Sequence, residues 1–326
     1  MSPSVAFLGD VMLGRGVAQA LPSPPGEVWD PALRELARGC DVVVCNVECC
    51  LSDRGDPTDL VPGKPFFFRG PPEAVEALLA IGTDVAGVAN NHALDYGPDA
   101  LSDTVAHLRE AGMVPVGAGS SVEDARRGAV VEAGIAVGVV AVSDHPSSFA
   151  AGDGSPGIAY ADLRAGLPAW LTEEIARLRG ECDVVIAFPH WGPNMTAEPA
   201  GWQRHRAAEL MEAGADLVAG HSAHCFHGVA LAGDRPLLYD LGDALDDYRV
   251  DPKLRNDIGL LAIWRRDAEP RLELVGLSLE YARTELATGN DADWFAARVA
   301  RACEALGTRV ERVGEQRFAV VGVRRP

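Results

Sequence analysis

Short apolar runs that stop abruptly at polar residues recur along the chain, separated by amphipathic stretches. "SVAFLGD", "DVVVCNVE", "DVAGVANN", "AVGVVAVSDH" and "DVVIAFPHWG" are rich in β-branched residues and lack polar alternation, the pattern of strands buried on both faces. "PEAVEALLAIG", "DALSDTVAHLREAG", "PAWLTEEIARLRG" and "GWQRHRAAELMEAG" carry apolar residues at i, i+3 and i+4 and stop at glycine, as helices do. This alternation predicts an α/β fold. Further along, "GVALA", "RPLLYDLGD", "IGLLAIWRR" and "RLELVGLSLEYA" follow one another through turns without a long helix, which predicts antiparallel strands. Two sheets with helices outside them are therefore expected. Residues 290–326 add a helix, "ADWFAARVARACEALG", and a last strand, "RFAVVGV". No repeat, low-complexity tract or linker divides residues 1–326, so a single domain is expected.

Composition narrows the chemistry. With 48% hydrophobic residues among 326, the chain has enough apolar surface to bury one large core or two modest ones. It has no apolar run near the ~20 residues of a membrane span, and its start has no basic leader or cleavage site, so a cytoplasmic protein without a membrane partner is expected. The seven cysteines (Cys40, Cys45, Cys49, Cys50, Cys182, Cys225, Cys303) are odd in number and lack paired CxxC spacing, and read as reduced and structural. Cys49 and Cys50 adjoin the candidate site, where a metal would favour a thiolate. A formal charge of −18 argues against a nucleic-acid partner, because phosphate binding needs Lys/Arg neutralisation.

The informative feature is how the strands end. Asp10 closes "AFLG", Asn46 and Glu48 close "VVVC", Asn91 and His92 close "AGVAN", His190 closes "VIAFP", and "GHSAHCFH" adds His221, His224 and His227. Five of the eight histidines fall at these positions. In α/β sheets the carboxyl ends of strands converge on a ligand, so side chains distant in sequence meet there. Any one of these residues is an ordinary turn or cap residue; their joint occurrence is better explained by a divalent cation. Mixed carboxylate, amide-oxygen and imidazole donors suit Ca, Mn, Fe or Zn.

"FLGDVMLGR", "NVE", "VANNHALDYG", "PHWGPN", "GADLVAGHSAH" and "LLYDLGD", in this order from residue 5 to about 248, resemble the successive motifs of the CapA-like (PgsA-like) poly-γ-glutamate synthesis proteins, a branch of the calcineurin-like metallophosphoesterases. The resemblance implies a four-layer α/β/β/α sandwich with Asp10, Asn46, Glu48, Asn91, His190 and His221 around the metal. It implies that His92 faces substrate, and it puts His224 at the second histidine of a GHxxH-type motif. Two departures from ordinary phosphoesterases stand out. Met12 replaces the histidine of their DxH pair, and "NVECCLSDRG" lacks the aspartate of their GDxxD motif, so one tightly bound ion is expected rather than the pair that phosphoryl transfer uses.

Some proteins similar to this branch epimerise peptides, including lasso-peptide precursors. Cα inversion needs a polarised carbonyl, a base on one face and an acid on the other. His92, with Asp95 three residues on or Asp53 behind it, serves one face; His224 or His227, oriented by Asp243, Asp246 or Asp247, serves the other. The expectation is a metal-dependent peptide epimerase acting on a peptide or polyglutamate-like substrate. Hydrolysis of a peptide or γ-glutamyl amide is the alternative. Phosphoester hydrolysis or a non-enzymatic role in capsule assembly follows. Arg15 and Arg69 are candidates for a substrate carboxylate, His145 is a secondary strand-end candidate, and Trp191, Trp202 and Phe226 adjoin the motifs, Trp202 as packing. The irregular stretch 51–72, rich in Pro, Gly and Asp, is expected to cover the substrate.

Overall fold

A computed structural model describes residues 3–267 and 271–322. The runs read as buried strands form two sheets. Among the described residues the first holds ten strands, with Ser4–Val11, Val42–Val47, Val85–Gly87 and Val114–Val116 in parallel, and with Ile258–Arg265 joined antiparallel to Ser4–Val11. The second holds six strands, in which Ala136–Ser143, Val184–His190, Leu217–Ala219 and Arg235–Leu238 run parallel.

Side chains of successive strand residues point to opposite faces, and this sorts the core into layers. From the first strand, Val5 and Phe7 enter a cluster shared with Val139, Ile186 and Phe188 of the second sheet. Ala6 and Leu8 face the other way, toward Leu33, Leu78 and Leu101, which lie on helices Pro31–Arg38, Val75–Ile81 and Gly97–Glu110. On the far side, Val140, Val142 and Val185 pack against Leu171, Ile175 and Leu210 of helices Ala169–Glu181 and Gly201–Glu212. The result is the expected four-layer α/β/β/α sandwich, and it explains why the central strands are apolar on both faces.

The C-terminal helix Gly289–Ala305 places Phe295, Val299 and Cys303 in the cluster between the sheets. Strands Thr308–Arg312 and Arg317–Gly322 extend the first sheet through Arg271–Glu280. Residues 323–326, the end of the expected C-terminal element, lie outside the described residues.

One expectation changes. "RPLLYDLGD" is not one antiparallel strand: Arg235–Leu238 stays in the second sheet, antiparallel only to Val229–Ala232, while Asp243–Leu245 crosses to the first and pairs parallel with Ser4–Val11. The crossing turns at Gly242, φ +71°. It lies so close to the first strand that a Cβ on Gly9 would fall 1.8 Å from the Gly242 carbonyl oxygen, so only glycine fits there. Likewise "RLELVGLSLEYA" ends at Glu280 and returns as Arg283–Leu286.

Candidate metal centre and the cavity beside it

The strand ends of both sheets meet. Asp10 is in register with Asn46 on one side and with Asp243 on the other, and His190 pairs with His221 across the second sheet. Two groups of donor atoms result, each with all its atoms within 4.8 Å of one another: Asp10, His190 and His221, and Asp10, Glu48, His224 and Asp243. Asp10 belongs to both. In the first group His221 Nδ1 lies 3.2 Å from Asp10 Oδ1 and 2.9 Å from His190 Nδ1. In the second, His224 Nδ1 lies 2.8 Å from Asp243 Oδ1, 3.5 Å from Asp10 Oδ2 and 4.0 Å from Glu48 Oε2.

These groups are buried, and many of their atoms have no hydrogen-bond partner: Asp10 Oδ2, both Glu48 oxygens, Asp243 Oδ2, and Nε2 of His190 and His221. Asn91 Oδ1 is another such atom. Burying carboxylates together without counter-charge costs several kcal/mol per ion, on the order of a domain's whole stability, so this donor set fits a divalent cation. Proton affinities carry the same signature. Burial, then the Asp10 charge, pushes the Glu48 carboxyl well up, and burial with Asp246 does the same to Asp243. Burial opposes ionisation of Asp10 too, but hydrogen bonding and charge from His221 outweigh it and hold this carboxyl low. Burial with His221 drives His190 well below the usual imidazole range. For His224 burial is outweighed by Glu48 and Asp10, and its affinity rises.

Asn46 sits in this cluster with both ends of its amide engaged, donating to Asp10 Oδ1 at 2.7 Å and accepting from Asn90 Nδ2 at 3.0 Å. It braces Asp10 and links it to Asn90. Asn90, which was not singled out from the sequence, also donates to the Val47 carbonyl and accepts from the His92 amide.

His92 stands apart from the donor groups as an imidazole–carboxylate pair. Its Nδ1 is 2.5 Å from Asp95 Oδ2, and its ring stacks on Phe68 at 3.8 Å. Burial pulls its affinity down to about 4, against the hydrogen bond and charge of Asp95. Asp53, the other proposed orienting carboxylate, is exposed. Lys64, not anticipated, places Nζ 2.5 Å from Asp95 Oδ1 and donates to the Asn91 carbonyl.

Among the carboxylates expected behind the second imidazole, Asp243 is the one paired with His224 Nδ1. Asp246 accepts from the Tyr248 amide, and Asp247 accepts from Gly16 N and pairs with Arg15 at 3.3 Å. His227 instead bonds through Nε2 to the Thr196 carbonyl at 3.0 Å, and burial takes its affinity to about 4. Ser222 and His224 take left-handed backbone, φ +118° and +57°, which costs non-glycine residues of order 1–3 kcal/mol. Asp240, also unanticipated, holds that loop: its carboxylate accepts from Ala223 N at 2.8 Å and its carbonyl from His227 N at 3.0 Å.

His92 and His224 both line a cavity of about 410 Å3, together with Arg15, Phe66, Phe68, Asn194, Met195, Tyr248, Arg249 and Asn256. The 51–72 stretch supplies Phe66 and Phe68, so it does wall this cavity, between the short strands Cys50–Leu51 and Arg69–Gly70. Arg15 lies over the Phe66, Phe68 and Tyr248 rings. Arg69 is elsewhere, stacked on Tyr96 and donating to the Arg54 and Gly55 carbonyls. The expected aromatic wall is also relocated. Trp191 is buried with Nε1 on the Tyr239 carbonyl, Trp202 packs edge-on against it, and Phe226 packs on Phe295. His145, bonded to Asp144, lies 5.2 Å from the His190 ring. Burial pushes the Cys50 thiol up to about 12 and that of Cys49 higher, against a reactive thiolate. Met12 is buried and its sulfur accepts from Gly14 N.

Comparison with known proteins gives a match of residues 4–248 to the family described as bacterial capsule synthesis protein PGA_cap. A probable polyglutamine synthesis accessory protein of Mycobacterium tuberculosis (strain CDC 1551 / Oshkosh) is 31% identical over 94% of this chain and 93% of its own. The PGA biosynthesis protein CapA of Bacillus subtilis is 27% identical over 75% of this chain and 63% of its own. Among solved structures, the protein TT1561 of Thermus thermophilus aligns with TM-score 0.43 at 10% identity over 80% of this chain and 94% of its own. The purple acid phosphatase PPD1 of yellow lupin seeds aligns with TM-score 0.43 at 11% identity over 89% and 55%.

Proposed function

The chain belongs to the bacterial capsule synthesis protein PGA_cap family, and from that premise we propose a metal-dependent enzyme that inverts a Cα in a peptide or polyglutamate-like substrate. The observation that carries this reading is a pair of imidazoles, His92 and His224, each backed by its own buried carboxylate, lining one cavity beside a cation-seeking cluster. The names of the relatives in Mycobacterium and Bacillus support an amide-linked glutamate polymer or a related peptide as the substrate class.

Asp10, His190 and His221, with Asn91 Oδ1 available, are the residues that would hold a divalent ion. Bound there, the ion supplies a Lewis acid that polarises a substrate carbonyl. Neutral His92 removes the Cα proton through Nε2, since Nδ1 is committed to Asp95, and the C–H electron pair delocalises into the adjacent carbonyl. His224, with Nδ1 on Asp243 Oδ1 and its proton affinity raised by Glu48 and Asp10 against the effect of burial, returns a proton to the opposite face. The two imidazoles then exchange protons with solvent to reset. Arg15 and Arg249 suit a substrate carboxylate at the mouth of the cavity, and Phe66, Phe68 and Tyr248 suit its apolar portions.

A second reading, amide hydrolysis, rests on a different observation: Glu48, His224 and Asp243 form with Asp10 a donor set of their own. Two ions per chain would consume His224 as a ligand and favour cleavage by water. One experiment tests both. Protein, Mn2+ or Zn2+ and candidate peptides or polyglutamate are incubated in deuterated water, and product mass, chirality and metal stoichiometry are measured. A gain of about one dalton with inversion and no cleavage is expected. Cleavage without exchange, at two ions per chain, replaces this reading with the hydrolase; neither product from any substrate of the class removes both.

A further inference from the structure

Lys64 lies in the irregular segment between Cys50–Leu51 and Arg69–Gly70, two residues before Phe66, the first of the two phenylalanines this segment gives to the cavity wall. Its side chain is only 9% exposed, with Nζ beside Asp95 Oδ1 and the Asn91 carbonyl and 5.2 Å above the Phe149 ring. A lysine is rarely buried in a surface loop unless its charge is used.

Asp95 gathers the wall and the imidazole at one point. Its Oδ2 accepts from Phe68 N at 2.7 Å and faces His92 Nδ1 at 2.5 Å, its Oδ1 takes Lys64, and its backbone carbonyl accepts from Thr58 N at 2.8 Å. A carboxylate that receives an ammonium and an amide N–H acts as an acceptor only, so His92 Nδ1 must be the donor in their bond. That fixes the tautomer and leaves the Nε2 lone pair for substrate. Without the ammonium, Oδ1 loses its ion-pair partner and the carboxylate is held on one side only, so nothing keeps Oδ2 aligned on both Phe68 N and His92 Nδ1 and the Nδ1–H form is no longer selected.

We infer that Lys64 is a positioning residue: through Asp95 it selects the proton-accepting tautomer of His92 and ties that choice to closure of the Phe66–Phe68 wall over the cavity. This deepens the role proposed for His92 and rests on it, but it is tested without substrate. Full-length protein labelled with 15N-histidine is compared with Lys64→Met, Lys64→Gln and Lys64→Arg by long-range 1H–15N correlation, and by hydrogen exchange at the Phe68 and Thr58 amides.

In the wild type, His92 shows a protonated Nδ1 and bare Nε2. In Lys64→Met and Lys64→Gln that pattern reverses or averages, and exchange at Phe68 and Thr58 quickens by about ten-fold or more, while amides of Arg271–Glu280 keep their protection. Lys64→Arg restores both signatures. An unchanged His92 pattern with unchanged Phe68 and Thr58 protection in the neutral variants overturns the inference. So does a general loss of protection that reaches Arg271–Glu280 in both neutral variants, which would make Lys64 a fold-stability residue. Because neither measurement uses turnover, a failure here is distinct from a failure to find epimerisation.

Discussion

Replacing Glu48 by glutamine should stabilise the metal-free protein and do so more strongly as pH rises, the reverse of what most buried substitutions do. Glu48 is fully buried with both oxygens unpartnered, and its donor atom lies within 4.8 Å of those of Asp10 and Asp243. At an effective dielectric near 20, two carboxylates at that separation repel by about 3.5 kcal/mol. Proton linkage acts in the same direction. Burial and Asp10 raise the folded-state affinity of Glu48 well above its usual value, so the native chain keeps a proton that the unfolded chain releases above pH ~4.3. Wild-type stability therefore falls with rising pH through this window, by at most ~1.4 kcal/mol per pH unit, and glutamine abolishes that one contribution. The variant should match wild type near pH 4.5 and exceed it by a margin that widens as pH rises.

Urea denaturation followed by circular dichroism, with EDTA, between pH 4.5 and 8, measures the difference directly, since the other titrating groups are common to both proteins. Saturating Mn2+ should erase or invert the advantage, because a bound cation turns the Glu48 charge from a liability into a counter-charge. A variant less stable than wild type at pH 7 in EDTA, or an advantage indifferent to pH and metal, would refute the electrostatic account of the cluster.

Other expectations are simpler to check. His92→Ala should lower turnover by ~10²–10⁴-fold while metal content, read by elemental analysis, stays at the wild-type value. Phe66→Ala should change stability by less than about 0.5 kcal/mol, since the ring is 55% exposed, yet raise KM for a bound peptide. Gly9→Ala forces a methyl against the Gly242 carbonyl; beyond an overpacking cost of roughly 1–3 kcal/mol in thermal melts, it should weaken metal binding by moving Asp243 away from Asp10.

Layering and strand ends were legible in the sequence because both follow from local patterns. Val5 and Phe7 alternate with Ala6 and Leu8, so a reader of the chain already knows that the first strand is covered on both sides. A strand that ends on a polar residue at its carboxyl end delivers that residue to the site, which is why Asp10 and His190 are found without coordinates. Partners were less legible. His227 has the same local credentials as His224, and only the path of the loop sends one to Asp243 and the other to Thr196. Trp191 and Phe226 adjoin motif residues in sequence, but the backbone course turns them into the core.

Sequence by itself determined the α/β layering, the family resemblance and most of the ionisable residues at the centre, since periodicity and motif order are properties of the chain read linearly. Tertiary structure alone decided that Asp10 serves two donor groups, that "RPLLYDLGD" divides between two sheets, and that Lys64 reaches the carboxylate behind His92. The physical reason is the same in each case. Charges interact through space over a few ångströms, and which of them come that close depends on crossings and loops whose course no local pattern encodes.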